Sequence, residues 1–141
     1  MQFTQGLDRQ ARQRYVIALA DVNLQTLAQM GGGRSTPVIA TQAVPMVNAS
    51  LPIVRQYRAV LARLFDEPPV ALSLAGFIAA RYTYEVLADV DGVPSRAGVL
   101  AAFQRRRDID LGGFHVSFDA QRRSASYVTQ SMLAADGRVV G

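Results

Sequence analysis

One histidine, His115, and no cysteine limit the chemistry open to this 141-residue chain. Without cysteine, disulfides, thiolate catalysis and cysteine-ligated zinc are excluded. His115 falls on the polar phase of the alternating run Phe114-His115-Val116-Ser117-Phe118. That phase makes it a solvated surface residue rather than a general base. No second histidine completes a metal site. The carboxylate pairs Asp66/Glu67 and Asp89/Asp91 fall at a helix end and in a turn, where acids serve capping and solubility. Ser73 and Ser95 lack the Gly-x-Ser-x-Gly context of a nucleophile. Gly31-Gly32-Gly33 has the composition of a phosphate-binding loop but follows a helix and lacks the lysine and spacing of one. It reads as a helix stop. Phe77, Tyr82 and Tyr84 stand at helical spacing and read as core. The expectation is a chain with no catalytic residue, no metal and no cofactor, which is not an enzyme.

A net charge of +4 and a pI of about 10.1 raise nucleic acid as a partner. The arginines are dispersed, however: Arg55, Arg58 and Arg63 alternate with apolar residues, and only Arg105-Arg106-Arg107 and Arg122-Arg123 cluster. With no helix-turn-helix, finger or RNA-binding signature, no nucleic-acid partner is expected. Half of the residues are hydrophobic and 18% charged, the balance of one globular domain. No apolar run approaches the ~20 residues of a membrane-spanning helix. The opening residues lack the basic and apolar regions of a secretory signal, so the chain as written carries no expected export signal.

The elements that position these residues follow from periodicity and punctuation. Residues 1–14 read as a partial helix, with Leu7 and Ala11 at helical spacing. Tyr15-Val16-Ile17-Ala18-Leu19 is continuously apolar, as for a strand buried on both faces. Asp21 or Asn23 caps a helix running to Met30. Pro37 to Val44 is a second strand, closed by Pro45, so that strand, helix and strand form a βαβ unit of a parallel sheet. Ser50 before Leu51-Pro52 reads as the cap of a helix with an apolar stripe at Ile53, Tyr57, Val60, Leu61 and Leu64. Asp66-Glu67-Pro68-Pro69 stops it. A long helix over 70–90, apolar almost all round, reads as a buried central element. Within it Gly76 costs ~1 kcal/mol against alanine, which implies close packing on another backbone. Ser95 caps a further helix, with Val99, Leu100 and Phe103 inward. The tail is β: a strand at 114–118, a turn at 119–123, a returning strand at 124–133, and an Asp-Gly turn at Asp136-Gly137 before Val139-Val140.

Three stretches in this order resemble the C-terminal third of type I periplasmic substrate-binding proteins of the Leu/Ile/Val-binding family, the partners of ABC importers. They are Val38-Ile39-Ala40-Thr41-Gln42-Ala43-Val44-Pro45 with Leu51-Pro52-Ile53-Val54-Arg55-Gln56-Tyr57; Ser73-Leu74-Ala75-Gly76-Phe77-Ile78-Ala79-Ala80-Arg81; and Asp110-Leu111-Gly112-Gly113-Phe114-His115-Val116-Ser117-Phe118, ending in Ala135-Asp136-Gly137-Arg138-Val139-Val140. The resemblance implies an α/β, incomplete type I (Rossmann-like) binding-protein fold: a βαβ unit, central helices and a C-terminal β-hairpin. It further implies one C-terminal fragment of a two-lobed protein, with 15–45 and 107–141 from one lobe and 46–106 from the other.

In the resembled family the ligand lies between the lobes, its ammonium held by a carboxylate and its side chain by apolar walls. Asp21, in the βα loop at the carboxyl edge of the parallel pair, matches that carboxylate's place. It also reads as a plain helix N-cap. Ala20 and Val22 flank it. Ser73 and Leu74 match the position facing the cleft, or pack as core. The implied function is the amino-acid-binding component of an ABC importer, or a truncated piece of one, with a permease partner and a periplasmic location if derived from an exported parent. The alternative is a ligand-sensing or dimerisation module of a receptor with the same fold. Apolar helix faces left uncovered by the shortened fold point to homo-oligomerisation.

Overall fold

The computed structural model describes residues 15–19, 22–30, 37–64, 66–119, 121 and 127–141. They divide into two compact units: Met1–Met46 with Val128–Gly141, and Val47–Tyr127. The expected partial helix at 1–14, the glycine run 31–33 and most of the turn at 119–123 lie outside the described residues.

The first unit is built on four strands, β1 (Val16–Ala18), β2 (Val38–Gln42), β5 (Thr129–Leu133) and β6 (Val139–Val140), in the order β1-β2-β5-β6. β1 and β2 are parallel, with Val16 beside Val38 and Ala18 beside Ala40. Helix α1 (Leu24–Met30) connects them, so the βαβ unit is present as expected. Asn23 caps α1, its Oδ1 accepting the Gln25 and Thr26 amides at 3.0 and 3.3 Å. Leu24, Val38, Ala40 and Leu133 form the core, with Val16, Ala18, Leu27, Ala28 and Val139 packed against it. β5 returns antiparallel beside β2, and a tight turn leads to β6. In that turn Gly137 takes φ +82 and the Ala134 amide donates to the Arg138 carbonyl at 2.8 Å. The Arg138 backbone amide and side chain both donate to Asp136 and hold its carboxyl below the usual carboxylate range.

β1 departs from the expected strand buried on both faces. It is the edge of the sheet, and Tyr15, Ile17 and Leu19 are exposed, Ile17 by 75%. A continuously apolar run is consistent with burial on both sides but does not require it.

The second unit holds α2 (Pro52–Leu64), α3 (Ala71–Ala88), α4 (Arg96–Arg105) and a two-stranded antiparallel sheet of β3 (Asp108–Asp110) and β4 (His115–Ser117). Pro52 starts α2, as its missing amide proton permits. Leu51, not Ser50, stands at the cap, and the Ser50 carbonyl instead accepts Arg55 Nη1 at 2.6 Å. Only the first half of the expected stripe is buried: Ile53 and Tyr57 are inside, with Val54 beside them, whereas Val60 and Leu64 are exposed. α3 likewise buries one stripe, Leu74, Ile78, Tyr82 and Val86, and exposes Leu72 by 83% along with Tyr84 and Leu87. It is therefore not buried all round. A Cβ on Gly76 would meet no described residue within 4 Å, so the expected close backbone packing is not found among the described residues. α4 is capped by Ser95, whose Oγ accepts the Gly98 amide at 3.1 Å; Ala102 is its buried residue, and Leu100 is exposed.

β4 alternates as expected, with Phe114 and Val116 buried and His115 exposed. Its partner is β3 rather than the strand at 129–133. The connecting turn is fixed to the start of α2: Gly112 has φ +74, its carbonyl accepts the Ile53 amide at 3.3 Å, and Asp110 Oδ1 accepts the Gly113 amide at 2.6 Å. This anchoring holds β3 and β4 with the helices. The compact units accordingly divide after Tyr127.

Candidate functional site

Ligands of open parallel sheets bind outside the carboxyl ends of the strands. In the first unit that edge is formed by the ends of β1 and β2 and the start of α1. Of the residues expected there, Ala20 and Asp21 lie outside the described residues. Val22 is exposed, and its amide donates to the Leu19 carbonyl at 3.1 Å. Asn23 provides the cap of α1, so that duty does not require Asp21.

The same edge carries polar side chains that periodicity does not single out. Gln42 ends β2 and stands opposite Thr129, while Ala40 stands opposite Ser131. Ser131 is 2% exposed, and its hydroxyl has no hydrogen-bond partner among the described residues. Nothing in the local sequence Thr129-Gln130-Ser131-Met132 signals this, and the serine acquires meaning only from the pairing with β2.

In the second unit Ser73 is exposed and Leu74 is fully buried beneath it. Ser73 Oγ donates to the Val70 carbonyl at 3.1 Å, at the first turn of α3. Tyr57 of α2 completes the arrangement: its hydroxyl lies 2.5 Å from Ser73 Oγ and accepts the Val70 amide at 3.2 Å. The Tyr57 hydroxyl also reaches the Val70 carbonyl at 3.4 Å, so either hydroxyl can be the donor in the Tyr57–Ser73 bond. Its ring stands against Phe77 at 5.8 Å between centroids. The Tyr57 hydroxyl thus ties α2 to the start of α3 across the proline-rich link, a role that the helical spacing of Tyr57 does not disclose.

The ion pairs among the described residues of this unit are isolated ones. His115 Nε2 contacts Asp108 Oδ1 across the β3–β4 pair, both side chains being exposed. Arg106 meets Asp89 at 3.0 Å, and Arg81 meets Glu85 at 2.6 Å along α3 while covering the Tyr84 ring at 5.5 Å. Tyr82 donates to the Arg106 carbonyl at 2.9 Å. Burial pushes its phenol above the ordinary value, and the Arg106 charge opposes that shift. Among the described residues no group of three or more His, Cys, Asp or Glu is placed to hold a metal ion, and no helix is long and apolar enough to cross a membrane.

No family model and no curated protein matches the sequence. Two solved structures do match in fold. The extracellular ligand-binding receptor from Verminephrobacter eiseniae ef01-2 superposes with a TM-score of 0.80 at 25% identity, over 97% of this chain and 40% of that one. A possible leucine/isoleucine/valine-binding protein from Rhodopirellula baltica SH 1 gives 0.79 at 24% identity, over 97% of this chain and 38% of that one. The chain therefore spans about two fifths of the length of these neighbours and has the mixed α/β fold of part of a type I periplasmic binding protein. Both neighbours are named for ligand binding rather than for a reaction.

Proposed function

We propose that this chain is, or forms part of, the substrate-binding component of an ABC importer for amino acids or similar small molecules, and performs no covalent chemistry. The observation that carries the reading is the superposition over 97% of the chain on an extracellular ligand-binding receptor. In this reading residues 15–45 and 107–141 derive from one lobe of a two-lobed binding protein and 46–106 from the other, the parent is exported to the periplasm, and an ABC permease is its partner. The Asp21 carboxylate pairs with the ligand ammonium, since a partly desolvated ammonium needs an opposite charge and hydrogen-bond acceptors. Ala20 and Val22 line the same loop. Ser73 offers its hydroxyl edge, with Leu74 packed beneath it.

The test is a thermal and calorimetric titration with L-leucine, L-isoleucine and L-valine, the class named for one neighbour. A ligand present at 100 times its Kd stabilises the folded chain by ~2.7 kcal/mol, so binding raises the melting temperature. Asp21→Asn should remove most of that rise. A flat response to all three amino acids, with calorimetry also silent, removes the reading.

A second reading is favoured by the exposed apolar side chains Leu72, Tyr84 and Leu87 on α3. In it the chain is a dimerisation or sensing module of a receptor and has no transport role. Light scattering distinguishes the two: a stable dimer indifferent to amino acids supports the module.

A further inference from the structure

Along the α1-covered face of the first sheet, residue character changes from one end to the other. β2 presents Val38, Ala40 and Gln42 there, opposite Leu133, Ser131 and Thr129 of β5. Val38, Ala40 and Leu133 belong to the core under α1. At the carboxyl end of β2 the face becomes polar: Gln42 and Thr129 are half-buried, and Ser131 is buried beside them. The Ser131 hydroxyl has no hydrogen-bond partner among the described residues, and no hydrogen bond joins the side chains of Gln42 and Thr129 to a described residue.

Of the three, Ser131 carries a buried hydroxyl that has given up water without a replacement among the described residues, which is costly for a core to retain. Directly opposed residues of an antiparallel pair have Cβ atoms only ~5 Å apart, which brings Gln42 and Thr129 together, and Ser131 follows Thr129 on the same face of β5. We propose that Gln42, Thr129 and Ser131 form a neutral polar subsite at the carboxyl end of β2 that hydrogen-bonds the carboxylate or carboxamide of a small ligand. The two hydroxyls and the Gln42 amide nitrogen supply donors to oxygens of that group, and the Gln42 carbonyl accepts from an amide nitrogen where one is present. None of the three is ionised, so the subsite recognises the group by hydrogen-bond geometry rather than by charge. The inference rests on the small-molecule-binding reading above, but on different residues from Asp21.

The experiment compares the unaltered chain with Thr129→Val, Ser131→Ala and Gln42→Met. The probes are L-leucine and its carboxyl-free counterpart 3-methylbutan-1-amine. Each substitution should weaken L-leucine about tenfold or more, the loss expected for one hydrogen bond to a charged group, and leave the amine unchanged. Unchanged affinity for L-leucine, or equal weakening of the amine, overturns the subsite. A crystal structure with only a resident water bound to Ser131 overturns it as well. Melting without ligand provides an independent arm. Ser131→Ala should melt at the same or a higher temperature, because it removes an unpartnered hydroxyl. A fall of several degrees shows that the hydroxyl has a structural partner and overturns the subsite even if neither probe binds. Absence of binding by the unaltered chain counts separately, against the ligand-binding reading itself.

Discussion

Tyr57 and Tyr82 show how a single hydroxyl fixes a helix packing that aromatic periodicity only suggests. Tyr57 is 3% exposed, and its hydroxyl satisfies the Val70 amide and Ser73 Oγ. Tyr57→Phe keeps the ring against Phe77 and strands the Val70 amide, so it should cost ~1–3 kcal/mol in denaturant unfolding. Ser73 is the informative comparison: Ser73→Ala should cost less, because the phenol retains the Val70 amide. Tyr82 makes a pH-dependent contribution. Its phenol titrates above 10.0 in the folded chain because of burial. Between the unfolded and folded values the native state therefore holds more protons than the unfolded state. Stability should fall as pH rises past about 10, and Tyr82→Phe should flatten that decline in melting temperature between pH 9 and 11. Neither bond was legible in the sequence, because the partners lie 13 to 24 residues away on other elements.

Among the elements, α3 separates what periodicity reveals from what it hides. Its extent and its proline-marked start were readable, since both depend on local propensity and breakers. Which side faces the core was not, because an almost wholly apolar helix carries no polar stripe to orient it. Gly76 falls on the open side. Gly76→Ala should raise stability by about 0.5–1 kcal/mol, the helix-propensity difference, in urea melts; a loss would reveal a neighbour that packs against this face. Gly112 predicts the reverse. It holds φ +74, and an added Cβ would stand 3.2 Å from the Ile53 amide nitrogen and from Pro52 Cβ. Gly112→Ala should therefore destabilise the β3–β4 turn and its anchorage on α2 by at least ~1 kcal/mol. The cap at Ser95 and the Asp-Gly turn were readable for the opposite reason, and the first helix cap was narrowed to Asp21 or Asn23: each is a bond between residues two or three apart.

For the whole molecule, the exposed side chains mark where covering is missing. Tyr15, Ile17 and Leu19 project from an edge strand that has no charge or proline to blunt it. Light scattering over a concentration series should show reversible self-association, and Ile17→Lys should reduce it while preserving the melting transition. A monomer at all concentrations would show that neither this edge nor the exposed α3 face drives association. The sequence by itself determined the strand-helix-strand order, the three later helices, the closing turn and the likeness to part of a binding-protein fold. All of these are carried by short-range propensity and by the order of elements along the chain. Tertiary structure alone decided that β5 pairs with β2, that β3 and β4 stay with the helices, and that Gln42, Thr129 and Ser131 share one face. Those outcomes depend on which distant strand offers a complementary row of hydrogen bonds and side chains. The Ala40–Ser131 pair joins residues 91 positions apart, beyond the reach of any local period.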